Sequence, residues 1–80
     1  MKKDKIRYIV FAFYPHSGIK VRQTEYSNLS EMYEYIGQGL RMCYTPYIAF
    51  DLEKDKVLDK ETYLLSGDKM AEMLEEYWNE

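Results

Sequence analysis

The 80-residue chain is poor in most of the residue types that build a reactive or covalently stapled site. A single cysteine, Cys43, rules out an intrachain disulfide and with it a secreted scaffold held by bridges. One histidine, His16, together with one cysteine falls short of a usual zinc ligand set. Two prolines and four glycines leave no Pro-rich linker and no Gly-rich phosphate loop. The one suggestive spacing, Gly37-Gln38-Gly39, lies inside a helical pattern rather than between a strand and a helix. No apolar run approaches the ~18 residues of a membrane span. After the basic start, Met1-Lys2-Lys3-Asp4-Lys5, the stretch Ile6–Tyr14 is interrupted by Arg7 and has no small-residue cleavage site, unlike a signal peptide. These features lead to the expectation of a cytoplasmic protein without a membrane partner. A net charge of −3 supplies no global attraction to nucleic acid.

The residues that are present suffice for one packed domain covering residues 1–80. Hydrophobic residues make up 46% and charged residues 31%, the balance of a globular chain rather than a disordered one. A chain this short must commit nearly all its large apolar side chains to one core. The unusual feature is tyrosine: nine residues, against one Trp and three Phe. A Tyr ring is apolar and its tip polar, which suits surfaces that are wet when free and covered when bound. Rim positions of a small core account for several of the nine.

The hydrophobic pattern predicts the elements in turn. Residues 6–14 are β-branched and aromatic nearly throughout, with apolar side chains on both faces, as in a covered central strand. Pro15-His16-Ser17-Gly18 reads as a turn, and residues 19–26 alternate as a second strand. A simple turn would set Phe11 and Phe13 against Arg22 and Lys20. Making Gly18 the extra residue of a bulge sets Phe13 against Val21 instead. The second register collects Ile9, Phe11, Phe13, Ile19 and Val21 on one face, and is the one expected. Asn28 with Glu31 has capping-box spacing, and the stripe Leu29, Met32, Tyr33, Ile36, Leu40 and Cys43 continues from it. Gly37 and Gly39 weaken this helix by about 1 kcal/mol each relative to Ala. They signal close packing on the sheet or a break. Residues 47–52 form a third strand with Ile48, Phe50 and Leu52 inward. Glu53–Lys56 is a charged turn, Val57-Leu58 a short returning strand, and residues 59–65 loop with a brief extended stretch. Ser66 caps a final helix over 67–79 with the stripe Met70, Met73, Leu74, Tyr77 and Trp78. The order β-β-α-β-β-α predicts an α+β fold, a small antiparallel sheet with two helices packed on it.

No catalytic constellation emerges. His16 and Ser17 are adjacent, which rarely gives a working dyad, and Cys43 falls on the inward stripe where a core thiol is expected. Asp51, Glu53, Asp55 and Asp59 imitate the first positions of a calcium loop. Lys56 then stands where the turn needs Gly, and Thr62 where a bidentate Glu belongs. No enzyme, cofactor or metal is expected.

Two surfaces are candidates for binding. One is the sheet face bearing Tyr8, Tyr14, Lys20, Arg22 and Tyr26, whose rings and cations suit single-stranded nucleic acid; Tyr8, Val10, Ala12 and Ala49 on that face could equally lie under the final helix. The other is the final helix, where Glu72, Glu75 and Glu76 oppose the helix dipole at a few tenths of a kcal/mol each. The function expected from these residues is a non-enzymatic protein-binding module, an adaptor or an inhibitor acting by occlusion, of the kind phages and mobile elements direct at host nucleases. Single-stranded nucleic-acid binding is the alternative, and a symmetric homodimer a third outcome.

Overall fold

The computed structural model describes residues 5–79 and confirms the α+β order. Strands β1 (Tyr8–Phe13), β2 (Val21–Tyr26), β3 (Tyr47–Asp51) and β4 (Lys56–Glu61) form one antiparallel sheet, with helices α1 (Leu29–Tyr35) and α2 (Gly67–Trp78). The strands lie in the order β2-β1-β3-β4. β2 and β3 both run antiparallel to β1, so the connection through α1 crosses over β1 on one face of the sheet.

The two faces hold separate packing clusters. Met32, Ile36 and Leu40 cover Tyr8, Val10, Ala12, Tyr47 and Ala49. On the other side Met70 and Met73 cover Phe11, Phe13 and Val21, with Ile9, Ile48 and Phe50 at the margin. The helices therefore sandwich the sheet. Every residue of β1 except half-buried Ile9 is fully buried, and each large side chain so removed from water contributes about 1.5–3 kcal/mol.

The expected hairpin register is the observed one: Phe13 pairs with Val21, Ala12 with Arg22 and Val10 with Thr24. The cause differs. No glycine among the described residues has a positive φ, so Gly18 is not a left-handed bulge residue. A wider loop closes with Tyr14 N–H donating to Lys20 O at 2.8 Å, and Ser17 N–H to Tyr14 O. That loop carries Ile19 outward, 68% exposed instead of inward.

Asn28 caps α1 by accepting from Glu31 N–H at 2.8 Å. The helix then widens into a π turn over Ile36–Leu40, closed by Arg41 N–H donating to Ile36 O at 2.8 Å. The extra residue per turn keeps Ile36 and Leu40 buried but rotates the residues beyond Leu40. Cys43, expected in the core, is exposed, and Leu29 and Tyr33 are about two-fifths exposed at the helix margin. Neither glycine is required for close approach: a β-carbon at Gly37 would meet nothing within 4 Å, and one at Gly39 only the Tyr35 ring at 3.8 Å.

In β3 the buried residues are Tyr47, Ala49 and Asp51, with Ile48 and Phe50 half-buried; Leu52, expected inward, is 52% exposed in the turn. β4 is longer than the pattern indicated, running on to Glu61 with a register shift that leaves Leu58 between Val57 and Asp59 as an unpaired residue. Ser66 caps α2 as expected, accepting from Lys69 N–H. Met70 and Met73 are buried, whereas Trp78 remains 63% exposed while touching the Phe11 ring at 5.0 Å.

Two polar clamps close the sheet. Arg7 meets Asp51 through Nε–Oδ1 at 3.2 Å and Nη2–Oδ2 at 3.1 Å, and Asp51 Oδ1 also accepts from the N–H groups of Glu53 and Lys54. Across the sheet, Tyr47 O–H donates to Asp59 Oδ2 at 2.8 Å while Arg41 donates to both Tyr47 Oη and Asp59. Burial pushes the Tyr47 phenol up to about 12.

Two measurements test the clamp and the π turn. The Arg7 hydrogen bonds hold the Asp51 carboxyl below its ordinary value, so the unfolded chain binds the proton first as pH falls. The stabilisation is complete above the unfolded value near 4 and disappears as pH drops through the lower native one. Acid denaturation of Asp51→Asn should lack that component and its stability at pH 7 should be lower. Gly37→Ala should raise the free energy of urea unfolding by about 0.5–1 kcal/mol; a loss would show that the π turn needs glycine's backbone freedom.

Candidate functional site

The sheet-face residues singled out from sequence are brought together only in part. Tyr8 is 8% exposed, under the crossover helix; the cover is α1 and the π turn, not the final helix. A base cannot stack on its ring there. Tyr14 and Tyr26 are half-buried at the margin of the same cluster beside Tyr35, with Tyr26 and Tyr35 ring centroids 5.9 Å apart. Burial, reinforced by the neighbouring Tyr14 and Tyr26, pushes the Tyr35 phenol up to about 12. Arg22 lies over the Tyr14 ring at 5.9 Å. This tyrosine group seals the edge of the core beside β2.

Lys20 belongs elsewhere. It lines a groove of about 310 Å³ with Ile19 and Val21 from the hairpin and Met73, Glu76 and Tyr77 from α2. Tyr77, on one wall of the groove, donates its O–H to Gln23 Oε1 at 2.8 Å and so ties α2 to β2. Glu76 also lines the adjoining surface with Glu72, Glu75 and Asn79. The two sequence candidates thus meet along one border: Lys20 from the first, the glutamates from the second.

Helical geometry explains the acidic surface. Met70, Met73, Leu74 and Tyr77 recur at spacings of three and four and face the sheet, which turns Glu72, Glu75 and Glu76 to the opposite arc. Asp68, Glu72, Glu75 and Glu76 against the single Lys69 give α2 a net charge equal to the −3 of the whole chain. Lys69 meets Glu72 at 3.5 Å. All three glutamates are exposed.

At one end of the sheet lies an open apolar notch of about 680 Å³ that the pattern did not reveal. Pro15 and His16 reach it from the β1–β2 loop, Tyr44 and Pro46 from the segment before β3, and Tyr63, Leu64 and Leu65 from the segment after β4. Tyr44 and Tyr63 have φ of 53° and 50°, a left-handed backbone that bulky residues rarely adopt. The two rings meet edge to face, centroids 5.6 Å apart and planes at 88°. Tyr44 is 74% exposed and Leu64 fully exposed. The only sequence signal for this notch was the tyrosine excess itself.

Among the described residues no three His, Cys, Asp or Glu side chains are grouped to hold a metal ion. Of the calcium-loop imitation, Asp51 is occupied by Arg7 and Asp59 by Arg41 and Tyr47. No described helix is long and apolar enough to cross a membrane. Comparison with protein-family models, curated proteins and solved structures gives no match.

The strained tyrosines give a direct test. Tyr44→Gly removes a ring contact worth about 0.5–1.5 kcal/mol and relieves a left-handed backbone costing about 1–2 kcal/mol. Urea unfolding should therefore shift by no more than about 1 kcal/mol. A loss of about 3 kcal/mol or more would mean that the ring belongs to the core.

Proposed function

We propose that this chain is a non-enzymatic binding module that engages a basic surface of a protein partner through the outer face of α2 and the adjoining hairpin tip, as an adaptor or an inhibitor. The observation that carries this reading is the continuity of Glu72, Glu75 and Glu76 with the groove beside the outward-turned Ile19. Carboxylates steer and orient a cationic partner, and an exposed aliphatic anchor beside them supplies apolar contact. A domain that concentrates its whole net charge on one helix presents a directional field, whereas scattered charges of both signs do not.

The acids also lie towards the carboxyl end of α2, where the helix dipole disfavours them. A sequence serving stability alone would carry cations there. Occlusion of a basic protein surface that otherwise holds nucleic acid is one use of such a face, and fits a chain of this size. Location in the cytoplasm belongs to the same proposal and rests on the single cysteine. The rival reading, single-stranded nucleic acid on the sheet, has lost its open platform, since Tyr8 lies beneath α1 and the neighbouring rings pack on one another.

The deciding experiment is affinity capture from nuclease-treated lysate with the native chain and with the double variant Glu75→Lys/Glu76→Lys. The native chain should retain a stoichiometric basic protein, and the variant should lose it by tenfold or more, roughly the weight of 1.4 kcal/mol. The variant should melt no lower than the native protein, because cations suit that helix end by about 0.3–1 kcal/mol each. Retention of nucleic acid alone, or a partner indifferent to the reversal, would sink the proposal.

A further inference from the structure

We infer that the groove between the β1–β2 hairpin and α2 takes one arginine side chain of the protein partner; this deepens the reading above and rests on it. The lining commits the groove to that group. Val21 and Met73, both buried, form an apolar floor in a cavity of about 310 Å³, and Glu76 stands on the α2 lip. The Glu76 carboxylate is exposed and enters no ion pair among the described residues. An apolar floor beside an unpaired carboxylate suits a side chain with a methylene stem and a cationic head. A wholly apolar side chain would strip water from Glu76 and return no hydrogen bond. An anion or a phosphate backbone would meet Glu76, with Glu72 and Glu75 on the adjoining surface, against Lys20 alone. The arginine comes from a different protein, since this chain's own are engaged: Arg7 by Asp51, Arg41 by Asp59, and Arg22 over the Tyr14 ring.

The aromatic wall decides between the two long cationic side chains. Tyr77 is already fixed: its hydroxyl donates to Gln23 Oε1 at 2.8 Å, and its ring meets Phe11 and Trp78 edge to face at 6.1 Å and 5.8 Å. A ring held in place offers a planar guanidinium a stacking partner at little ordering cost. The compact ammonium of lysine holds its water more tightly and gains less from such a wall. On the opposite lip, Lys20 repels a second cation, which limits the groove to one arginine. Its ammonium can donate to a carbonyl of the arginine's own backbone. Outward-turned Ile19 borders the same lip and adds apolar surface for the stem.

The test is a titration of the isotopically labelled full chain with the capped peptide acetyl-Gly-Arg-Gly-amide, followed by amide chemical shifts. The same peptide carrying citrulline, the neutral isostere of arginine, or lysine serves as control. Saturable shifts at Ile19, Val21 and Tyr77 are expected, with a dissociation constant below about 5 mM and the citrulline peptide at least tenfold weaker. The lysine peptide should be severalfold weaker. Glu76→Gln, a near-isosteric change at an exposed position, should weaken the arginine peptide about tenfold, and Ile19→Ser severalfold. Absence of saturation, citrulline or lysine binding as tightly as arginine, shifts centred away from the groove, or affinity unchanged in both variants would each overturn the inference. The peptide needs no partner, so the two readings fail separately. Failure here beside a lysate capture that still depends on Glu75 and Glu76 overturns the groove alone, whereas peptide binding beside a failed capture supports the groove and overturns the broader reading.

Discussion

The structure depends on the burial of β1 from both sides. Tyr8–Phe13 contains no charged residue and no hydrophilic face, so neither side of that strand can be left to water. One helix covers the even-numbered side chains and the other the odd-numbered ones. Among the described residues α1 with the π turn packs on one face and α2 on the other. The crossover of α1 above β1 is a consequence, since the connection from β2 to β3 must pass over the central strand it covers.

Committing both sheet faces to the core limits where binding can occur. What remains is the outer side of each helix, the strand edges and the loops at the ends of the sheet. The polar clamps reinforce that arrangement. Arg7 with Asp51 fastens the turn after β3, and Arg41 with Tyr47 and Asp59 fastens the end of the π turn to β3 and β4. These charged side chains are occupied in holding the fold. Glu75 and Glu76 of α2, by contrast, stand exposed on the outer side of the helix.

The two surfaces have opposite characters. The helix face is charged, regular and set by the core stripe of α2. The notch is uncharged, assembled from three distant loops, and contains two of the three non-glycine positive φ angles among the described residues. Tyrosine serves both the core and the surface: Tyr8 and Tyr47 are interior, Tyr14, Tyr26 and Tyr35 close its margin, and Tyr44 stands in solvent. One residue type supplies all three environments because its ring tolerates burial while its hydroxyl tolerates water.

Local sequence determined most of the elements, because their causes are local. The unbroken apolar run of β1 marked a strand covered on both faces, alternation marked β2, Asn28 and Ser66 marked the helix starts, and the spacing of Met70, Met73 and Tyr77 fixed which side of α2 turns outward. The hairpin register was legible because only one pairing gathered the apolar side chains. Tertiary structure decided what depends on residues far apart. Tyr8 became interior because the crossover carried α1 over it, a choice between helices that β1 cannot encode. Cys43 left the core because the π turn rotated the chain past Leu40, a break in helical period that glycines signalled without specifying. Ile19 turned outward because the loop widened. The notch could not be read at all, since Pro15, Tyr44 and Tyr63 have no periodic relation and meet only where the ends of β1, β3 and β4 converge.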